Sequence, residues 1–252
     1  MRRVKCTISY DGTLFSGYQV QVDKRTVQGE LEKVLAVMHK RDVKVVASGR
    51  TDAGVHAYGQ VIHFDTSLQL PAENWVKALN AMLPDDISIL AAEYVPADFH
   101  ARYGAEGKQY RYVMDLGKIR NPLKRNYSYH YPYPLDVDRI RQAIPYVVGT
   151  HDFTSFSAVR TDVKDKVRTI YRIDCTLEGN ELTFTYIGNG FLYNMVRILT
   201  GTFIEVGNGR REPEDLQAMI ASMDRAAAGK TAPAQGLYLW EVYYGNELEK
   251  YM

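Results

Sequence analysis

The feature that most constrains this chain is an order of hydrophobic periodicities that runs through its first half and returns in its second. Val4-Lys5-Cys6-Thr7-Ile8-Ser9-Tyr10 alternates apolar and polar residues, the signature of a half-buried strand. Thr26 then offers a capping hydroxyl, and Val27, Leu31, Val34, Leu35 and Met38 recur at helical spacing, so a helix is expected after it. Strands are predicted over 43–47 and 60–65, a helix over 73–82 ended by Pro84, and a strand over 87–94. From residue 108 the order repeats, with a strand over 108–116 and a helix over 137–148. Paired strands over 167–177 and 181–187 flank Glu178-Gly179-Asn180, followed by helices over 192–206 and 214–223 and a closing strand over 237–244. Strand and helix periods interleaved in this way predict an α+β protein of two similar halves. The glycines between 104 and 107 break the pattern, which places the halves at 1–104 and 105–252.

A chain of 252 residues with 46% hydrophobic content has ample material for a core. Cys6 and Cys175 lie far apart in strand-like contexts, which predicts two core thiols in a reducing compartment and neither a disulfide framework nor a thiolate metal cluster. Met1-Arg2-Arg3 leads into a polar alternating run, unlike a signal peptide, and no apolar run has the length of a bilayer. The expectation is a cytoplasmic protein with no membrane partner.

The net charge of +1 hides strong local charge. Between Arg102 and His130 stand Arg102, Lys108, Arg111, Lys118, Arg120, Lys124 and Arg125, against only Glu106 and Asp115. Tyr103, Tyr110, Tyr112, Tyr127, Tyr129, Tyr131 and Tyr133 are interleaved or follow closely. Cations beside flat aromatic faces suit RNA, although a solvated face over core tyrosines has the same composition. A second basic run extends from Arg160 to Arg172, and the polar stretch 153–166 is expected to form a mobile loop over the substrate face.

Two places suit chemistry better than packing. In Gly49-Arg50-Thr51-Asp52-Ala53-Gly54-Val55-His56-Ala57, glycines bracket a turn that can project the Asp52 carboxylate into a cleft, while an Asx-turn or cap remains the structural alternative. From Phe191 to Val206 the sequence is almost wholly apolar apart from Arg197 and Glu205, and a guanidinium there needs a partner. Glu205 is too far along the helix to pair with it comfortably.

The Asp52 segment resembles the motif around the catalytic aspartate of A-type tRNA pseudouridine synthases, which isomerise uridine in the anticodon arm. Further motifs similar to that family follow in order: Tyr10-Asp11-Gly12-Thr13-Leu14-Phe15-Ser16-Gly17-Tyr18-Gln19, Thr26 to Glu32, Asn80 to Ile87, Phe99-His100-Ala101-Arg102 and Lys108-Gln109-Tyr110-Arg111-Tyr112. Gly149 to Phe153, Gly190 to Arg197 and Ala232 to Leu237 complete a resemblance that spans essentially the whole chain.

The resemblance implies two pseudo-symmetric α/β-sandwich halves, ferredoxin-like or RNA-recognition-motif-like, sharing a mainly antiparallel central sheet in the pseudouridine synthase fold. It implies a homodimer acting on tRNA at positions 38, 39 and 40, with no cofactor, no metal and no DNA partner. Asp52, oriented by Arg197, becomes the catalytic carboxylate, and Tyr110 the residue that packs on the target base. Arg50, Lys108, Arg111, His56 and Leu192 become contacts to the RNA or the flipped nucleotide. Three other readings stay open: the same chemistry at other uridines, an RNA-binding module without catalysis, and a metal-dependent hydrolase using Asp52, His56 and His63. The last spacing matches no familiar metal cluster. Gly188-Asn189-Gly190 lacks the lysine and hydroxyl of a phosphate-binding loop and is read as a turn.

Overall fold

The computed structural model describes residues 1–159 and 163–251. In chain order the elements are β1 (Arg2–Tyr10), α1 (Val27–His39), β2 (Val46–Ala47), β3 (His56–Thr66), α2 (Ala72–Asn80), β4 (Ile87–Val95) and β5 (Ala105–Asp115). They continue with β6 (Tyr129–His130), α3 (Val137–Ala143), β7 (Gly149–Asp152), β8 (Val167–Glu178), β9 (Glu181–Gly188), α4 (Met195–Gly207), α5 (Asp215–Ser222) and β10 (Leu237–Tyr244). The chain divides into two compact units, Met1–Glu106 with Tyr238–Asn246, and Gly107–Leu237 with Glu247–Met252.

In the first unit the strand order is β4-β1-β3-β10, with β2 on β3. β1 runs antiparallel to both neighbours, pairing Val4 with Phe64 and Tyr94. Its alternation turns Val4, Cys6, Ile8 and Tyr10 inward, as the period of two requires. α1 starts where Thr26 accepts the Gly29 amide and buries Val27, Leu31, Val34 and Leu35. α2 packs on β4 through Trp75, whose ring lies edge-on to Phe64 and whose indole N–H donates to the Tyr94 hydroxyl. The last strand joins this unit in parallel, Tyr238 beside His56, a partnership that no local pattern announces.

In the second unit β5, β9, β8 and β7 follow one another, all antiparallel, with β6 lying parallel to the end of β5. β8 and β9 form the expected hairpin, Glu178 facing Glu181 and Gly179 at φ +58°. Phe184 of β9 stacks on Phe203 of α4 at 5.8 Å, so the apolar helix covers this sheet.

Several boundaries need correcting: of the strand expected over 43–47 only Val46–Ala47 forms, and β3 begins at His56 rather than at 60. α3 ends at Ala143 and passes into a 3-10 turn over Ile144–Tyr146, because Pro145 has no amide to continue an α-helix. α4 begins at Met195, because Asn194 occupies the left-handed region at φ +62°. Within the stretch read as one loop, Thr154–Phe156 forms a 3-10 turn that buries Ser155 and Phe156. Residues 160–162, which include the start of the second basic run, lie outside the described residues. Cys6 and Cys175 are both buried and free, and burial pushes each thiol up to about 12. Among the described residues no helix is long and apolar enough to cross a membrane.

Candidate active site

The first unit holds the Asp52 turn by its backbone. Val55 donates to the Asp52 carbonyl at 3.1 Å, closing a turn in which Gly54 has φ +77°. Below it, Gly17 at φ +97° leaves so little space that a Cβ there would lie 2.9 Å from the Thr51 carbonyl oxygen. A Cβ on Gly12 would lie 2.0 Å from the Val55 carbonyl oxygen. Both glycines therefore serve close backbone approach to the turn.

Side chains fix the remainder. The Tyr10 hydroxyl meets the Thr51 hydroxyl at 2.7 Å, and the Tyr18 amide donates to the Thr51 carbonyl at 3.0 Å. Gln60, fully buried on β3, donates to the Gly49 carbonyl at 2.8 Å and accepts the Ser48 hydroxyl at 2.6 Å. With its flanks so occupied, the Asp52 side chain is left half-buried and Arg50 exposed. An Asp on a pinned, part-buried turn can present a carboxylate at a constant position.

His56 is enclosed, only 2% exposed. Its ring stacks on Tyr238 at 4.8 Å, and its Nδ1 accepts the Gly12 amide at 3.0 Å with an Asp11 carboxylate oxygen at 3.1 Å. His63 is likewise buried and accepts the Ala101 amide. Burial, then the Arg3 charge, lowers it to about 4, so its ring is neutral at pH 7. No three His, Cys, Asp or Glu side chains among the described residues group as metal ligands.

In the second unit Arg197 stands on α4 between the buried Val196 and Ile198, its own side chain partly exposed. Nε donates to the Ala232 carbonyl at 2.7 Å and one terminal nitrogen donates to Asn194 Oδ1 at 2.9 Å. The Ala232 amide in turn donates to the Arg197 carbonyl at 3.0 Å. Two glycines permit that closeness: a Cβ on Gly201 would lie 1.7 Å from the Lys230 carbonyl oxygen, and one on Gly229 would lie 2.7 Å from Thr202 Cα. Asn194 was not marked out in the sequence as a site residue. Its left-handed backbone immediately before an apolar helix is a signal visible only in the structure. Glu205 pairs with Arg211 and accepts the Lys230 amide, so this carboxylate is occupied along its own helix end.

Tyr110 of β5 is 8% exposed, pairs in register with Tyr186 and sets its ring edge-on to Phe191 at 5.2 Å. Lys108 and Arg111 share that strand, each half-buried, and Leu192 is buried just before α4. The Tyr112 hydroxyl donates to the Pro233 carbonyl at 2.8 Å, tying β5 to the segment that holds Arg197.

Comparisons with known proteins identify the family. The profile of a family described as tRNA pseudouridine synthase matches residues 7–104 and 143–245. The tRNA pseudouridine synthase A of Geobacillus sp. (strain WCH70) is 58% identical over 246 residues, covering 97% of this chain and 99% of the relative. That of Anoxybacillus flavithermus is 57% identical over 247 residues, covering 98% and 100%. That of Bacillus subtilis (strain 168) is 56% identical over 246 residues, covering 97% and 100%. The chain belongs to the tRNA pseudouridine synthase family, enzymes that isomerise uridine to pseudouridine in tRNA.

Proposed function

We propose that this chain isomerises uridines 38, 39 and 40 of the tRNA anticodon stem-loop, with Asp52 as the catalytic carboxylate. The observation that carries the reading is the Asp52 turn itself, fixed by Gly12, Gly17, Tyr10 and Gln60 while the carboxylate stays part-exposed. In the reaction the bond from uracil N1 to the sugar C1′ breaks and one from C5 to C1′ forms. C5 loses a proton to solvent and N1 takes one up, so no redox step, metal or added group enters.

Asp52 acts at the target nucleotide as nucleophile or as base toward the sugar, and Arg197 keeps it ionised and oriented. Tyr110 packs on the base, and its hydroxyl assists proton transfer. Arg50, Lys108, Arg111 and Leu192 contact the RNA or the extruded nucleotide, while His56, expected to join them, is enclosed and supports the Asp52 turn through the Gly12 amide. Extrusion costs roughly a few kcal/mol, offset by stacking and phosphate contacts. In this reading residues 1–104 supply the carboxylate, residues 105–252 supply Tyr110 and Arg197, and the enzyme works as a cytoplasmic homodimer without cofactor.

The test is modification mapping of tRNA from cells lacking the protein. Unmodified uridine confined to 38–40 supports the assignment, and loss at other positions moves the same chemistry elsewhere. Tyr110→Phe is expected to keep tRNA binding and slow turnover; unchanged turnover confines the ring to stacking.

A further inference from the structure

The second unit contains a cavity of about 210 Å³ that the catalytic proposal does not use. It is smaller than the ~300 Å³ at which pockets for drug-sized ligands begin, which leaves room for a phosphate group and part of a sugar. Its wall is built from the segment after β5 and carries Arg120, Lys124, Arg125 and His130 together with the buried Asp115.

Asp115 brings a carboxylate into the wall, accepting the Gly117 amide at 3.0 Å, so the cations of the wall must outweigh it, while Glu181 pairs with Lys124 at 2.9 Å, raising that lysine. His130 Nε2 lies 2.8 Å from the Gly117 carbonyl oxygen, so this nitrogen carries a proton and donates to it. The arginines keep donors in reserve. Among the described residues the Arg125 guanidinium makes one hydrogen bond, to the Pro122 carbonyl, and the Arg120 guanidinium makes neither a hydrogen bond nor an ion pair. Two guanidiniums with spare N–H groups in the wall of a small cavity are suited to bind a phosphate. Ile119 and Leu123, 88% and 82% exposed, flank them and offer apolar contact to a sugar edge.

We propose that this cavity is a binding site for a backbone phosphate of the substrate RNA, held by Arg120 and Arg125. The proposal rests on the reading of the chain as a tRNA-acting enzyme. Lys124 contributes less than the arginines because Glu181 neutralises it.

The experiment is tRNA binding by the full chain across a salt series, beside C5-tritium release for turnover. Arg120→Ala and Arg125→Ala are each expected to lower the salt slope of log affinity by roughly 0.7–0.9 and to weaken binding on the order of ten-fold. The rate at saturating tRNA should hold while KM rises. Lys118→Ala, which removes an equal charge outside the cavity wall, is expected to change the slope much less. An unaltered slope in the arginine variants, or one reduced no further than in Lys118→Ala, overturns the site. Unaltered tRNA binding with loss of a thermal shift given by inorganic phosphate assigns the cavity to small free anions and also overturns it. Because binding and turnover are read separately, wild type that binds tRNA but releases no tritium sinks the catalytic reading while leaving this one testable.

Discussion

Replacing Gln60 by leucine removes the amide that ties the Asp52 turn to β3, while roughly keeping volume. The side chain is fully buried, donates to the Gly49 carbonyl and accepts the Ser48 hydroxyl and the Val61 amide. The substitution removes the three hydrogen bonds that Gln60 makes with Ser48, Gly49 and Val61. At a net worth of about 0.5–1.5 kcal/mol each, a loss of about 1.5–4.5 kcal/mol is expected in total. In a chain of this size that corresponds to a fall in Tm of roughly 3–18 °C. A turn displaced by even ~1 Å costs catalysis about a hundredfold. The assay is thermal unfolding together with tritium release at a temperature where the variant remains folded. The expected result is a kcat lower than the folded fraction explains. A Tm within a degree of wild type with unchanged kcat refutes the argument that Gln60 frames the site.

Asn194→Gly keeps the left-handed backbone and removes one charge-assisted hydrogen bond to Arg197, for which kcat measured at saturating tRNA should fall about ten-fold. Gly201→Ala drives a methyl into the Lys230 carbonyl, so chemical denaturation should show a loss of about 1–3 kcal/mol together with reduced activity. His63 is held near 4 against 6.5 when unfolded, so the unfolded chain binds the extra proton first as pH falls. Its contribution is complete above pH 6.5 and is lost toward pH 4, about 2 kcal/mol between pH 7 and 5. Denaturation at both values should show that difference shrinking in His63→Gln.

Where a segment's fate was decided locally, the sequence was readable. The alternation of 4–10 and the stripe after Thr26 became β1 and α1 because burial of one face follows directly from side-chain period. Arg197 stood out as a charge within an apolar helix, whereas Asp52, which an Asx-turn or cap would equally explain, was singled out by the family motif around it. What escaped depended on distant backbone. The two-residue strand β6 has no pattern of its own and exists through β5. Gly12 and Gly17 look like ordinary turn residues until the Asp52 turn lies against them. Asn194 shortens α4 by a conformation that composition does not signal, and the same conformation turns its side chain toward Arg197.

The account depends most on the carboxylate at position 52. The direct measurement is single-turnover release of tritium from C5-labelled tRNA by wild type and by Asp52→Asn, with tRNA affinity measured for both. Release by wild type and none by the variant, at equal affinity, is the predicted outcome. Equal release by both proteins contradicts it.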